Sequence, residues 1–329
     1  MGVSVASLAS EQHRAVRHGV GLLDRSERGK LALTGPEARE LLNGQISNEV
    51  LSLTPGQGCY AALLTPKGKM LGDLRVLAAA APFEELCLDT ERTALQDLFD
   101  VLRRGAIGYD AQLHKRTLER GLLSLVGPHA RRAAGLTAED PPGAEEHANA
   151  VARIAGIEVL LVTTDLGLDL LCDAARTDEL RRALETQGAI GVDEAVVEVL
   201  RVERGRPRYG IDLDSATIPQ EAGLNDRAVS FTKGCYVGQE TVARLHYRGR
   251  PNRHLLGLRL TGPAAPGDPL RLGERELGRL GSVARSPQLG WIALALVRRE
   301  GQAGDRVSVG AGEVSAELVE LPFDEEHVA

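Results

Sequence analysis

Residues 233–240 read Lys233-Gly234-Cys235-Tyr236-Val237-Gly238-Gln239-Glu240. The octet sets one thiol between a cation and the start of a helix, because Gly238-Gln239-Glu240-Thr241-Val242-Ala243-Arg244-Leu245 reads as helical. Lys233 and Gly234 read as a flexible, positive approach to Cys235. A neighbouring lysine and a helix N-terminus both favour a thiolate, so Cys235 is a candidate reactive cysteine. The alternative is a small buried hydrophobe, the commoner fate of a free cysteine. Tyr236, Gln239 and Glu240 are expected to shape the loop and cap the helix.

Outward from the octet, residues 200–224 carry Leu200-Arg201-Val202-Glu203-Arg204-Gly205, Tyr209-Gly210-Ile211-Asp212 and Pro219-Gln220-Glu221-Ala222-Gly223-Leu224. Residues 193–204 read as a helix capped by Asp193. Val196, Val199, Leu200 and Glu203 then fall at i, i+3, i+4 and i+7, which lands a carboxylate on the inward stripe. Burying it without a partner costs several kcal/mol. One partner is an arginine, with Arg201, Arg204, Arg206 and Arg208 in reach along the chain. The other is a ligand with two adjacent N–H donors, which a carboxylate meets bidentately.

Nearer the N-terminus, 22–76 contains Leu22-Leu23-Asp24-Arg25-Ser26, Leu33-Thr34-Gly35-Pro36, Leu41-Leu42-Asn43-Gly44-Gln45, Lys67-Gly68-Lys69 and Asp73-Leu74. Together with the central segment and the octet, these stretches resemble the YgfZ proteins, tetrahydrofolate-binding relatives of the glycine-cleavage T-protein (aminomethyltransferase). The octet marks the YgfZ branch; the other stretches mark the wider superfamily.

The resemblance implies an α+β fold of three domains around a central folate-binding opening. Residues 1–50 with 115–200 would form the first domain, and 51–114 with 201–252 the second, carrying the octet. Residues 253–329 would form a C-terminal β-barrel. By the same resemblance, Glu203 matches the pterin anchor, Asp73 the aspartate near the reactive folate nitrogen, and Tyr209 lies with them at the folate site. The T-protein pattern has two adjacent aspartates, and Gly72 stands where the first would be.

The implied function is a tetrahydrofolate-binding protein that assists assembly or repair of iron–sulfur clusters in client enzymes, using Cys235 with Lys233. On this reading it is not a stand-alone aminomethyltransferase and has no substantial glycine-cleavage activity. The alternatives are aminomethyl transfer from a lipoyl carrier to tetrahydrofolate, and a folate-binding module without thiol chemistry.

Composition bounds these readings. With 329 residues, two or three domains are expected, and 43% apolar content is that of a globular protein. Aromatics at 3% and a net charge of −7 argue against a nucleic-acid partner. Cys59, Cys87, Cys172 and Cys235 form no C-x-x-C pair, so no metal site is expected, and the first three read as core. The longest apolar runs are too short for a bilayer, and Met1-Gly2-Val3-Ser4 lacks a signal-peptide pattern, so a cytoplasmic location is expected.

Local pattern gives the remaining elements. Residues 35–44 read as a helix with Pro36 in its first turn and Gly44 just past its end. Residues 58–64 and 73–80 read as strands joined at Lys67-Gly68, and 90–104 as a helix. A mixed α+β layer follows over 121–190, with a solvated loop at 135–150. From Arg253 onward, Leu256, Leu258 and Leu260 alternate with other residues, as in a small barrel or sandwich.

Overall fold

The computed structural model describes residues 5–323. The reading of Met1-Gly2-Val3-Ser4 and the last six residues of the expected barrel segment lie outside them. The chain divides into two compact units. One comprises Met1–Leu63, Gly72–Val197 and Thr232–Tyr236; the other comprises Leu64–Leu71, Glu198–Phe231 and Val237–Ala329.

The first unit is built on two sheets. A six-stranded sheet runs in the order Ile190–Gly191, Gly21–Asp24, Arg120–Val126, Gly167–Asp173, Ile157–Thr164, Asn149–Ile154. Its neighbours are antiparallel except the first pair. The period-2 alternation of strands sorts its side chains to two faces. Leu123, Leu125, Leu168, Leu170 and Cys172 pack with Leu180 and Leu184 of the helix Thr177–Thr186. Leu122, Leu160, Val162 and Leu171 face the other way, onto Leu77 and Cys87 of a second sheet and Ala79 just past its strand end. That sheet has the order Gly58–Leu64, Met70–Ala78, Leu86–Thr90, Gly29–Thr34, Gln112–Lys115.

The second unit contains the barrel. Six strands close in the order Arg253–Leu260, Gly290–Arg298, Arg275–Ser286, Pro269–Leu272, Arg306–Val309, Val314–Val319. Leu256, Leu258 and Leu260 point inside with Ala293, Ala295 and Val297. Ile292, Leu294 and Ala284 point outside, onto Val199, Val202 and Phe323. Both faces of the Gly290–Arg298 strand are thus buried, which is why it reads as a continuous apolar run. The α+β class and the barrel agree with the sequence reading.

Local boundaries differ in instructive places. The helix expected over 35–44 is Ala38–Gln45, and Gly44 lies inside it, with Ile46 as the capping residue. Nothing stands within 4 Å of where a Gly44 Cβ would be, so a glycine is tolerated there without being a stop. Thr90 ends a strand, and the helix begins at Leu95 after a short 3-10 turn over Arg92–Ala94. Among the described residues no helix is long and apolar enough to cross a membrane.

Candidate functional site

In the first unit, Asp73 lies on the Met70–Ala78 strand and is 7% exposed. Tyr60, on the adjacent Gly58–Leu64 strand, donates its phenol O–H to Asp73 Oδ2 at 2.6 Å. The Thr90 hydroxyl donates to the Asp73 carbonyl. Burial pushes the Asp73 carboxyl up to about 6; the Tyr60 hydrogen bond and Arg28 oppose the rise, while Glu91 and Asp89 add to it. Gly72, beside it, has no room for the first aspartate of the T-protein pattern, because a Cβ there would meet the Ala94 Cβ at 2.6 Å.

The same unit holds Thr232–Tyr236, the first half of the octet. Lys233 is not a flexible approach to the thiol. It is 8% exposed, and its ammonium donates to the carbonyls of Asn43 at 2.7 Å, Ile46 at 2.9 Å and Asn48 at 2.7 Å. Three acceptors match the three N–H donors of a lysine, so the group is a clamp on the 43–48 turn. The ammonium also lies 5.2 Å from the centre of the Tyr236 ring. Burial pushes Lys233 down to about 8, against the pull of Glu49 and Cys59.

Cys235 is exposed, whereas Cys87 and Cys172 are buried and Cys59 is half-buried. Burial pushes the Cys59 thiol up to about 12 despite the opposing charge of Lys233. It raises Cys87 and Cys172 as well. Gly234 is exposed, and burial pushes the Tyr236 phenol up to about 12.

In the second unit, the other half of the octet opens the helix Gln239–Arg248. Gly238 caps it at φ 88°, a left-handed conformation that favours glycine. A Cβ there would also meet the Thr65 carbonyl at 2.6 Å, and one on Gly68 would meet Thr241 at 2.8 Å. Two glycines therefore let the 65–68 turn and this helix end approach closely. Gln239 is half-buried and Glu240 exposed at the helix start.

Glu203 ends the helix Glu194–Glu203 and is 5% exposed. Val202 packs on Ile292, Leu294 and Phe323 of the barrel unit, and the Phe323 N–H donates to the Glu203 carbonyl at 3.1 Å. Nearby, Arg201 pairs with Glu198 at 2.7 Å and Asp212 at 2.9 Å, and Arg208 with Glu198 at 3.0 Å. Tyr209 is half-buried and bridges to Leu213.

The clearest omission of sequence reasoning is Tyr60, whose partner Asp73 was named. The available signal was the turn at Lys67-Gly68 between the two expected strands, which folds one back along the other; in the structure the Thr65 N–H donates to the Lys69 carbonyl there at 2.8 Å.

Comparison with known proteins fits this architecture. Residues 4–233 match the GCVT N-terminal domain, and residues 253–324 match the glycine cleavage T-protein C-terminal barrel domain. The chain belongs to the glycine cleavage T-protein family. The chain is 32% identical to an aminomethyltransferase of Streptomyces coelicolor, over 95% of this chain and 88% of the relative. A Thermotoga maritima aminomethyltransferase is 31% identical, again over 95% and 88%. The structure of glycine cleavage system aminomethyltransferase T from Bartonella henselae superposes with a TM-score of 0.85 at 25% identity, covering 97% of this chain and 90% of that one. Tetrahydrofolate is the substrate or cofactor used in this T-protein family.

These similarities overturn two expectations drawn from the octet. One is the iron–sulfur assembly or repair role; the other is that the chain is not a stand-alone aminomethyltransferase and lacks glycine-cleavage activity. The octet is a local segment, while the likeness to aminomethyltransferases runs over 95% of the chain. Lys233, moreover, spends its donors on backbone carbonyls, which removes the cationic approach on which the thiol reading leaned.

Proposed function

We propose that this T-protein family member is an aminomethyltransferase that passes a one-carbon unit from a lipoyl carrier to tetrahydrofolate. The observation that carries the reading is Asp73, a buried carboxyl held by Tyr60 and raised to about 6. A buried acid poised near neutrality suits proton transfer. At pH 7 a group titrating near 6 is ionised in about nine molecules of ten, yet its acid form is readily reached. Tetrahydrofolate, when bound, supplies the nitrogen nucleophile that takes up the carbon unit. Asp73 then holds or moves the proton, and Tyr60 fixes Oδ2.

The buried Glu203 carboxylate fits the two-donor edge of a pterin and is the proposed anchor, with Tyr209 beside it in sequence. Cys235, the exposed thiol among the four, is the proposed reactive one. The octet supports placing the chain in the YgfZ-type branch; the iron–sulfur role is not carried with it. The division into 1–50 with 115–200, 51–114 with 201–252, and 253–329 remains the proposed domain scheme. Four free thiols suit a reducing compartment such as the cytoplasm.

A reconstituted assay tests the activity. With aminomethyl-loaded lipoyl carrier and tetrahydrofolate, the protein should release ammonia and form methylene-tetrahydrofolate. Asp73→Asn should slow turnover by roughly 100-fold or more. A folded protein that binds tetrahydrofolate and gives no product above background would overturn the reading.

A further inference from the structure

The hydrogen bonds around Asp73 continue, within the same unit, into the octet. Lys233 Nζ donates to the Asn48 carbonyl at 2.7 Å. The Asn48 side-chain Nδ2 donates to the Tyr60 carbonyl at 2.8 Å. The Tyr60 phenol O–H donates to Asp73 Oδ2 at 2.6 Å. The turn that carries Asn48 is braced on both sides. Lys233 also holds the Asn43 and Ile46 carbonyls, and Asn43 Oδ1 accepts from the Val50 N–H at 3.0 Å. Asn48 Oδ1 accepts from the Glu49 N–H at 2.9 Å, which fixes the rotamer that aims Nδ2 at Tyr60.

We propose that Lys233, Asn48 and Tyr60 form a line of hydrogen bonds that positions the Asp73 carboxyl for the transfer chemistry. The proposal deepens the aminomethyl-transfer reading by assigning three positioning residues to the same site. It also gives the octet lysine a task independent of the thiol. A tyrosine has two side-chain torsions, so once its backbone is held the place of its hydroxyl is nearly set. A displacement of about 1 Å at the phenol is enough to lose a short hydrogen bond and its effect on the carboxyl.

The charged groups that act on Asp73 come from several elements. Glu91 and Asp89 disfavour its ionisation, and Arg28 favours it. His147 stacks over the Tyr60 ring at 6.4 Å with planes 27° apart. The phenol therefore donates a hydrogen bond that favours the carboxylate in surroundings that otherwise disfavour it. Removing that donor should raise the pH at which Asp73 titrates. A purely structural role for Lys233 or Asn48 would lower stability and leave that titration in place.

Carbon-13 titration of the aspartate carboxyls in the whole labelled protein reads this without reference to turnover. Asp73→Asn identifies the Asp73 resonance, and the wild-type midpoint should lie near 6. Tyr60→Phe should move it up by about one pH unit. Asn48→Ala and Lys233→Met should move it in the same direction by less. The His147 ring, followed by its own resonance, separates any effect of that group. An unmoved midpoint in Tyr60→Phe would overturn the whole line. A midpoint that moves in Tyr60→Phe and stays put in folded Asn48→Ala would cut the octet out of it. If Lys233→Met does not fold, Asn48→Ala decides. If the midpoint moves as stated in a protein with no transfer activity, the positioning line stands and the aminomethyltransferase reading falls.

Discussion

Asp73 and Asp89 stand on neighbouring strands of one sheet, 7% and 1% exposed, and their carboxyls are driven in opposite directions. Asp89 is gripped by two guanidinium groups. Arg28 donates to it at 2.9 and 3.1 Å, and Arg75 at 2.7 Å. Burial alone would raise Asp89, but the two arginines outweigh it and hold the group well below the usual carboxylate range. Arg75 also reaches Asp169 at 2.6 Å, whose other oxygen accepts from the Ser124 hydroxyl at 2.6 Å. Asp73 has the same burial but a tyrosine as its donor, and it rises to about 6. Burial is therefore common to both sites. The partner decides whether a sealed carboxylate is held ionised or pushed toward its acid form.

The largest expected effect comes from breaking the structural side of this pair. Arg75→Met removes a cation shared by Asp89 and Asp169 and leaves both short of a partner inside the unit. Loss of one member of a buried ion network costs about 3–5 kcal/mol. Urea unfolding at pH 7 measures it. A loss under about 1 kcal/mol would mean that the network contributes little and that the contrast with Asp73 has another origin.

The second test has the opposite sign. A carboxyl raised from 3.8 to about 6 binds its proton more tightly when folded than when unfolded. Between those two values the folded state carries the extra proton. Stability therefore falls as pH rises through this window and levels off above it. Asp73→Asn removes the ionisation. It should stabilise the protein by about 1–3 kcal/mol at pH 7.5 and by far less near pH 4, where the folded carboxyl is already neutral. Denaturant midpoints at the two pH values check this. A variant less stable than wild type at pH 7.5 would show that ionised Asp73 is well compensated, erasing the contrast with Asp89.

Glu203 sharpens the comparison as a third buried carboxylate, in the other unit. Glu203→Gln keeps its shape and exchanges one acceptor for a donor. Loss of a charged hydrogen bond to the pterin should cost roughly 1.5–3 kcal/mol, on the order of tenfold or more in affinity. Calorimetric titration with tetrahydrofolate reads it. Equal affinity for a folded Glu203→Gln would remove Glu203 from the site and class it with Asp89.

The local fold was largely legible because it rests on periodicity. Leu256, Leu258 and Leu260 alternate in the sequence and do line the barrel interior. The strand expected over 58–64 is Gly58–Leu64. Of the stripe that carries Glu203, Leu200 and Glu203 are buried but Val196 and Val199 are half-buried, and Val197 and Val202 beside it are the most deeply sealed. Where a long-range contact overrode local pattern, the reading failed. Gly44 looks like a helix stop, but the helix runs on through it to Gln45. Lys233 looks like a solvated cation beside a thiol. Its acceptors lie about 190 residues away along the chain, where no local pattern points to them.

The sequence by itself determined the class of fold, the barrel and the family motifs. Those follow from side-chain period and from residue types that have few other uses. Only the tertiary structure decided what each charge does. Asp73 and Asp89 are the same side chain in the same kind of strand, and nothing near either in sequence says which one meets two arginines. That depends on which strands become neighbours. Arg28 sits 61 residues from Asp89, while Tyr60 reaches Asp73 across a hairpin. A buried charge takes its properties from the few groups within hydrogen-bond reach, and those are chosen by packing in three dimensions.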